Sequence, residues 1–296
     1  MRAVVTGGAG FIGSNLVDAL VGRGDEVLVI DDLSSGRLEF VNSAATLLER
    51  DIRDGVSLEG AEVVFHLAAQ ADVQTSVREP ALDAVVNVVG TVEVAEAARA
   101  AGARVVFTST GGAIYGECDG PASEDAPLRP LSPYGIAKQC GEAYLVGFNR
   151  IHGTTNVVTR LGNVYGPRQG ASLEGGVVAV FLDRFRRGEP TTIFGDGLQE
   201  RDFVYVGDVV RALLAAGGHD GGVFNVGTGV ATTVLDLHRA CAAVAGSEAE
   251  PGFAAARLGD VRRSLLDASA ARRALGWRAE VGLDDGLRRT WDWLRD

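Results

Sequence analysis

The first 165 residues alternate apolar, β-rich runs with helical stretches. The runs at 2–6, 26–31, 46–50, 63–67, 104–109 and 156–161 are continuous and valine-rich, the pattern of strands buried on both faces of a parallel sheet. Residues 11–22, 82–101 and 133–151 between them carry the helical period. The second of these is apolar nearly all round (Val85, Val86, Val88, Val89, Val92, Val94), which predicts burial on more than one side, against the sheet and against a partner subunit. The alternation predicts an α/β fold: a Rossmann-type, doubly wound parallel sheet over residues 1–165.

After Gly166-Pro167 the pattern becomes irregular. Helices are expected at 177–187, 208–216, 234–245, 268–275 and 283–294, with short strands at 191–194 and 203–206. Residues 166–296 therefore read as a smaller C-terminal α/β lobe over the carboxyl ends of the sheet, where open α/β folds bind ligands. Parts of 203–227 are expected to complete the sheet.

Composition narrows the possibilities. The chain has 296 residues and a formal net charge of −11, which argues against nucleic acid as a partner. No apolar run is long enough for a membrane span. The chain opens Met1-Arg2-Ala3-Val4 without a signal-peptide pattern, and Cys118, Cys140 and Cys241 show neither metal spacing nor a disulfide framework. A cytoplasmic protein without a metal site is the expectation. Of the 28 basic residues, one alone is lysine, Lys138, which marks that position for attention.

Between the first strand and first helix stands Thr6-Gly7-Gly8-Ala9-Gly10-Phe11-Ile12-Gly13-Ser14. Such glycines permit a tight turn and a close approach of backbone to pyrophosphate, and the helix N-terminus offers free N–H groups to the anion. A bare glycine pattern is weak, but this one follows a strand and opens a helix. Gly7, Gly10, Phe11, Ile12 and Gly13 are thus candidate cofactor contacts. Asp31, at the end of the second strand, is placed to bind ribose hydroxyls. Asp32 beside it would repel a 2′-phosphate, so NAD is favoured over NADP. Asp51 and Ile52 follow the third strand and are candidates for the adenine.

Ser132-Pro133-Tyr134-Gly135-Ile136-Ala137-Lys138 reads as a helix start, with serine as N-cap and proline at the first helical position. Tyr134 and Lys138 are then one turn apart on one face. Tyr-x-x-x-Lys alone is usually an ordinary helix surface. Here it follows a dinucleotide fold and uses the chain's one lysine, so the pair reads as catalytic. Tyrosine, with a pKa near 10, is a poor base; a neighbouring ammonium and a cationic nicotinamide would favour its phenolate. His66, at a strand end, reads as a structural histidine.

At this point the chain resembles the extended short-chain dehydrogenases, the NAD-dependent epimerases and dehydratases of nucleotide sugars. TGGAGFIGS at 6–14, DDLSSG at 31–36, HLAAQ at 66–70, STGGAIYGE at 109–117, SPYGIAK at 132–138, RLGNVYGPRQ at 160–169, RDFVYVGDV at 201–209, FNVGTG at 224–229 and RLGDVRRS at 257–264 carry the resemblance across nearly the whole chain. It implies tightly bound NAD, a UDP-sugar substrate and reversible inversion at C4 of a UDP-hexose. Leu67, Ala68, Ala69 and Asn87 would line the cofactor. Thr110 or Ser109 would hydrogen-bond the sugar O4, with Thr110 favoured for the sugar and Ser109 for the cofactor. Asn163, Arg201 and Arg257 would hold the nucleotide diphosphate and Asp260 the nucleoside, Val177 would also contact the substrate, and Ser264 would leave room at C2 of the sugar. A homodimer is expected.

Three other chemistries share the scaffold. A 4,6-dehydratase needs an acid pair beside the catalytic threonine, where this chain has Gly111 and Gly112. A decarboxylase or epimerase of UDP-glucuronate has no such discriminating residue in the sequence. A non-catalytic NAD sensor would have no use for Tyr134 and Lys138 together.

Overall fold

A computed structural model describes residues 1–171, 176–257 and 261–296. Six strands fill the first half: β1 (Arg2–Thr6), β2 (Glu26–Asp31), β3 (Thr46–Glu49), β4 (Val63–His66), β5 (Arg104–Thr110) and β6 (Val157–Leu161). The second half adds β7 (Asn163–Tyr165), β8 (Thr192–Phe194), β9 (Glu200–Tyr205), β10 (Gly222–Val226), β11 (Ala231–Thr233), β12 (Gly252–Ala254) and β13 (Arg263–Ser264). The central sheet has seven parallel strands in the order β10-β6-β5-β4-β1-β2-β3. β1 to β3 run outward to one side, and the chain then crosses back to place β4 on the other side of β1. That reversal opens a crevice at the carboxyl ends of β1 and β4.

The helices are α1 (Phe11–Gly22), α2 (Val73–Arg78), α3 (Pro80–Ala84), α4 (Gly90–Ala101), α5 (Gly111–Ile114), α6 (Pro133–His152), α7 (Val177–Arg187), α8 (Val206–Gly217), α9 (Val234–Ala245), α10 (Ser269–Leu275) and α11 (Leu283–Arg295). α1, α8 and α10 bury Leu16, Val17, Leu20, Val209, Leu213 and Ala271 on one face of the sheet. α4 and α6 bury Val94, Ala95, Ala98, Leu145 and Phe148 on the other. A separate core, with Phe181, Ile193, Phe203, Leu237 and Leu287, holds the C-terminal lobe. None of the described helices is long and apolar enough to cross a membrane.

The helix expected over 82–101 is interrupted. The segment enters at Pro80, passes through a π-helical turn at Val85–Val89 and resumes as α4. Its apolar girdle is also only half used: Val94 is buried, whereas Val85 and Val89 face outward. Continuous with them on α2, α3 and α6 are exposed Val77, Leu82, Ile136 and Tyr144.

Buried ionic contacts lock the layers. Glu142 of α6 takes the Arg160 guanidinium of β6 at 2.7 Å, both side chains being almost wholly enclosed. Arg160 also reaches the Tyr115 hydroxyl, which donates to Asn225 of β10. Asp202 of β9 accepts from the backbone of Thr228, Gly229 and Leu266, fastening the C-terminal lobe to the sheet's edge.

Candidate functional site

The β1–α1 turn is built for close approach. Gly7 has φ +72°, and a Cβ there would stand 2.6 Å from the Ala68 nitrogen. A Cβ on Gly13 would meet the Gly7 carbonyl oxygen at 2.1 Å, so the helix can seat against the strand only as glycine. Gly10 is the N-cap of α1 and no side chain caps the helix, which leaves the first-turn N–H groups of Phe11, Ile12 and Gly13 facing the crevice. Asp31 is buried at the end of β2, its two carboxylate oxygens accepting from the Ala9 and Leu33 N–H groups at 2.9 Å. Burial raises its pKa, opposed by those two N–H groups. Asp32 is exposed and closes a local turn onto Ser34. Asp51 is engaged with its neighbour Arg53, and Ile52 packs under Gly90. These groups fit a dinucleotide: an uncapped helix end for the pyrophosphate and a buried carboxylate for the ribose.

His66 ties that turn to the π-helical segment. The Thr91 hydroxyl donates to the Asn87 carbonyl oxygen at 2.7 Å, so its oxygen accepts from His66 Nε2–H at 3.0 Å. His66 Nδ1 is then the acceptor for the Thr6 hydroxyl at 2.7 Å, and the Thr6 oxygen accepts from Ala68 N–H. The ring is neutral, its pKa pushed down to about 3 by burial and secondarily by Lys138. Asn87 is equally committed: its side chain receives from Gln70 N–H and donates to the Gln70 carbonyl oxygen and to Asp83. It holds the loop carrying Leu67, Ala68 and Ala69 by its backbone.

The catalytic candidates converge at the carboxyl end of β5. Ser132 caps α6 by accepting from Gly135 N–H, which aims the first turn, with Tyr134, at the strand end. Thr110 closes β5 and caps α5 through Ala113 N–H, and its hydroxyl acts on the Tyr134 phenol to ease its ionisation. One turn along α6, the buried Lys138 ammonium donates to the Thr108 carbonyl oxygen at 3.0 Å and lies 4.8 Å from the Phe107 ring centroid and 5.9 Å from that of Tyr134. Burial pushes Lys138 down to about 8. It pushes Tyr134 up to about 12, with Asp83 adding to the rise and Thr110 opposing it. Burial of the hydroxyl therefore dominates among the protein's own groups, and the expected shift toward phenolate rests on the ammonium and a cationic nicotinamide acting together.

Beyond Thr110 the floor is open. A Cβ on Gly112 would find the Asn163 side-chain oxygen at 3.6 Å, the Thr110 hydroxyl at 3.8 Å and the Ser264 hydroxyl at 4.0 Å. The Asn163 oxygen and the Ser109 hydroxyl are buried without a protein partner among the described residues, as polar atoms awaiting a ligand would be. Arg201 is buried on β9, in register with Ser264. Arg257 is exposed, its guanidinium 4.0 Å from the centroid of the Phe194 ring. Val177 is the first residue of α7. Asp260 lies outside the described residues.

Comparison with known proteins then decides the family. The NAD dependent epimerase/dehydratase family matches residues 3–227. The chain belongs to this family. It is 48% identical to a UDP-glucose 4-epimerase of Mycolicibacterium smegmatis, over all of this chain and 99% of the relative. Among solved structures it is similar to a UDP-glucose 4-epimerase of Thermotoga maritima with UDP-glucose, at TM-score 0.98 and 48% identity over 100% of this chain and 99% of that one. It is also similar to the Thermus thermophilus UDP-glucose 4-epimerase in complex with NAD, at TM-score 0.92 and 41% identity over 100% and 99%.

In this NAD-dependent family member, Gln70 and Asp83 complete the site floor, and sequence reasoning had passed over both. Gln70 stood in the HLAAQ motif, and Asp83 lies four residues before Asn87, one helical turn away, which was the available signal. The neutral His66 gives a stability prediction. In the unfolded chain it titrates near 6.5 and in the fold near 3, so the unfolded chain takes up a proton the folded ring refuses. Stability present above pH 6.5 should fall as pH drops through that window, by up to about 1.4 kcal/mol per unit. Urea midpoints between pH 4 and 7 should show a shallower slope in His66→Gln than in the parent; equal slopes would contradict the assignment.

Proposed function

We propose that the chain inverts C4 of a UDP-hexose reversibly, using tightly bound NAD, with UDP-glucose and UDP-galactose or their N-acetyl counterparts as the pair. The observation that carries this is the convergence of the Tyr134 phenol, the Thr110 hydroxyl and the buried Lys138 ammonium at the end of β5, beside Gly112, which puts no side chain between Thr110, Asn163 and Ser264. The similarity to UDP-glucose 4-epimerases over the full chain supports it.

When bound, NAD supplies a cationic ring that takes up and returns a hydride. Gly7, Gly10, Phe11, Ile12 and Gly13 would hold its pyrophosphate, Asp31 its adenosine ribose, and Ser109 and Lys138 its nicotinamide half. Tyr134 as phenolate takes the O4 proton, and Thr110, at the end of β5, would orient that hydroxyl by a hydrogen bond of its own. Oxidation at C4 gives a 4-keto sugar. Gly111 and Gly112 present no acid beside it, so nothing in the site removes the C5 proton and protonates a leaving hydroxyl, and dehydration is disfavoured. Arg201, Arg257 and Asn163 would anchor the diphosphate while the sugar turns over, and Tyr134 then returns its proton. Holding the nucleotide rather than the sugar makes binding indifferent to C4 configuration. Gly112 and Ser264 leave the pocket without a bulky wall, which brings N-acetyl sugars within the proposed range. The three cysteines are unpaired, in keeping with a cytoplasmic enzyme.

Cofactor-loaded enzyme should reach the same product ratio from either member of the pair. Tyr134→Phe should fold and bind NAD but lose two to four orders of magnitude in turnover, roughly the worth of a positioned acid–base group. Near-parental turnover would remove Tyr134 from the mechanism.

The exposed apolar face of Val77, Leu82, Val85, Val89, Ile136 and Tyr144 supports a homodimer in which two copies of this helical face pack together. Sedimentation should report a dimer for the parent and a monomer for Val89→Glu with Tyr144→Glu, since each charge would be buried unpaired. A monomeric parent would refute the arrangement.

A further inference from the structure

Asp83 is the one group in the site floor whose chemistry remains unused. It sits in α3, packed on α6, with 1% of its surface exposed. Its Oδ1 accepts from Gln70 Nε2 at 2.8 Å and from Asn87 Nδ2 at 2.9 Å. Its Oδ2 is buried with no hydrogen-bond partner among the described residues. A carboxylate so enclosed is costly unless an opposite charge compensates it. The cation that acts on it is the Lys138 ammonium on α6, the helix against which α3 packs. That ammonium is itself buried, donates to the Thr108 carbonyl oxygen and makes no direct ion pair with Asp83 among the described residues. Burial, the larger effect, raises the carboxyl's pKa, and the ammonium's charge lowers it through space. Two buried groups able to carry opposite charges thus sit on the packed helices α3 and α6.

We propose that Asp83 is a positioning residue: its carboxylate is the counter-charge that keeps Lys138 an ammonium inside the fold, and the Gln70–Asn87 clamp holds that carboxylate in place. The inference rests on the reading of Lys138 as the catalytic ammonium. The groups facing Lys138 are Tyr134 and Glu142 on its own helix, Asp83 on α3 and the neutral His66 on β4. Of the two acids, Asp83 acts on Lys138 more strongly, and Glu142 is already taken by Arg160. The same negative charge opposes ionisation of Tyr134. Asp83 therefore trades a harder phenol for a secure ammonium, and removing it should ease loss of the proton from both groups.

The test exploits the single lysine. Protein labelled with 15N-lysine gives one side-chain signal, that of Lys138, whose titration can be followed by NMR in the NAD-loaded enzyme. Asp83→Asn keeps an oxygen for Gln70 and Asn87 while removing the charge; Asp83→Ser removes the charge with a smaller side chain, should the amide fail to fold. In either variant the Lys138 midpoint is expected to fall by about one pH unit or more. The basic limb of the kcat/KM profile should move to lower pH with it, and the acidic limb should move the same way through Tyr134. An unchanged Lys138 midpoint in a folded variant overturns the proposal. Failure of the underlying reading is seen separately, as near-parental turnover in Tyr134→Phe, because the NMR titration reports the Asp83–Lys138 interaction whatever the pair's role in turnover.

Discussion

Lys138 carries its charge where only 3% of the residue reaches the surface, and a charge at that depth persists only if the surroundings are arranged for it. The site follows from that constraint. The Thr108 carbonyl oxygen accepts a hydrogen bond from the ammonium near the end of β5, the Phe107 ring lies beneath it, and Asp83 on the adjacent α3 favours its charge through space. Each of these groups must itself be held. Gln70 and Asn87 fix Asp83, Thr91 and His66 fix the segment carrying Asn87, and the Thr6 hydroxyl joins His66 to the loop that passes over Gly7. One hydrogen-bonded chain therefore runs from the turn that fits pyrophosphate to Asp83 on α3, the helix packed on the one that carries Tyr134 and Lys138.

Burial shifts the two ionisable groups of the proposed pair in opposite senses. Burial holds Tyr134 near 12 and lowers Lys138 to about 8. Both shifts favour the neutral forms, whereas the chemistry requires phenolate and ammonium. A cationic nicotinamide would favour the phenolate, and the proposed counter-charge of Asp83 would favour the ammonium.

Much of this was legible in the sequence because it rests on local rules. Valine runs marked the buried strands, the glycine spacing marked the βα turn, and Ser132-Pro133 marked the start of the helix that aims Tyr134. What escaped were features set by tertiary context. β7, β11, β12 and β13 are only two or three residues long, too short for a period to show. The π-helical turn at Val85–Val89 falls in a nearly all-valine stretch, where an added residue per turn leaves no mark on an apolar face already continuous. Asp83 looked like any solvated helix acid until the fold buried it. Asp202 and Asp208 stood inside the motif RDFVYVGDV, but their roles depend on which distant N–H groups they accept: those of Thr228, Gly229 and Leu266 for one, of Glu280 and Val281 for the other.

The central claim is that oxidation at C4 is transient and that the same hydrogen returns to the same carbon from a cofactor that never leaves. UDP-glucose carrying deuterium at C4, turned over by NAD-loaded enzyme in ordinary water and read by NMR of the product, tests this directly. The account predicts UDP-galactose that retains the deuterium at C4, with no stoichiometric build-up of reduced cofactor. Loss of that deuterium to solvent, or recovery of a stable 4-keto product, would contradict it.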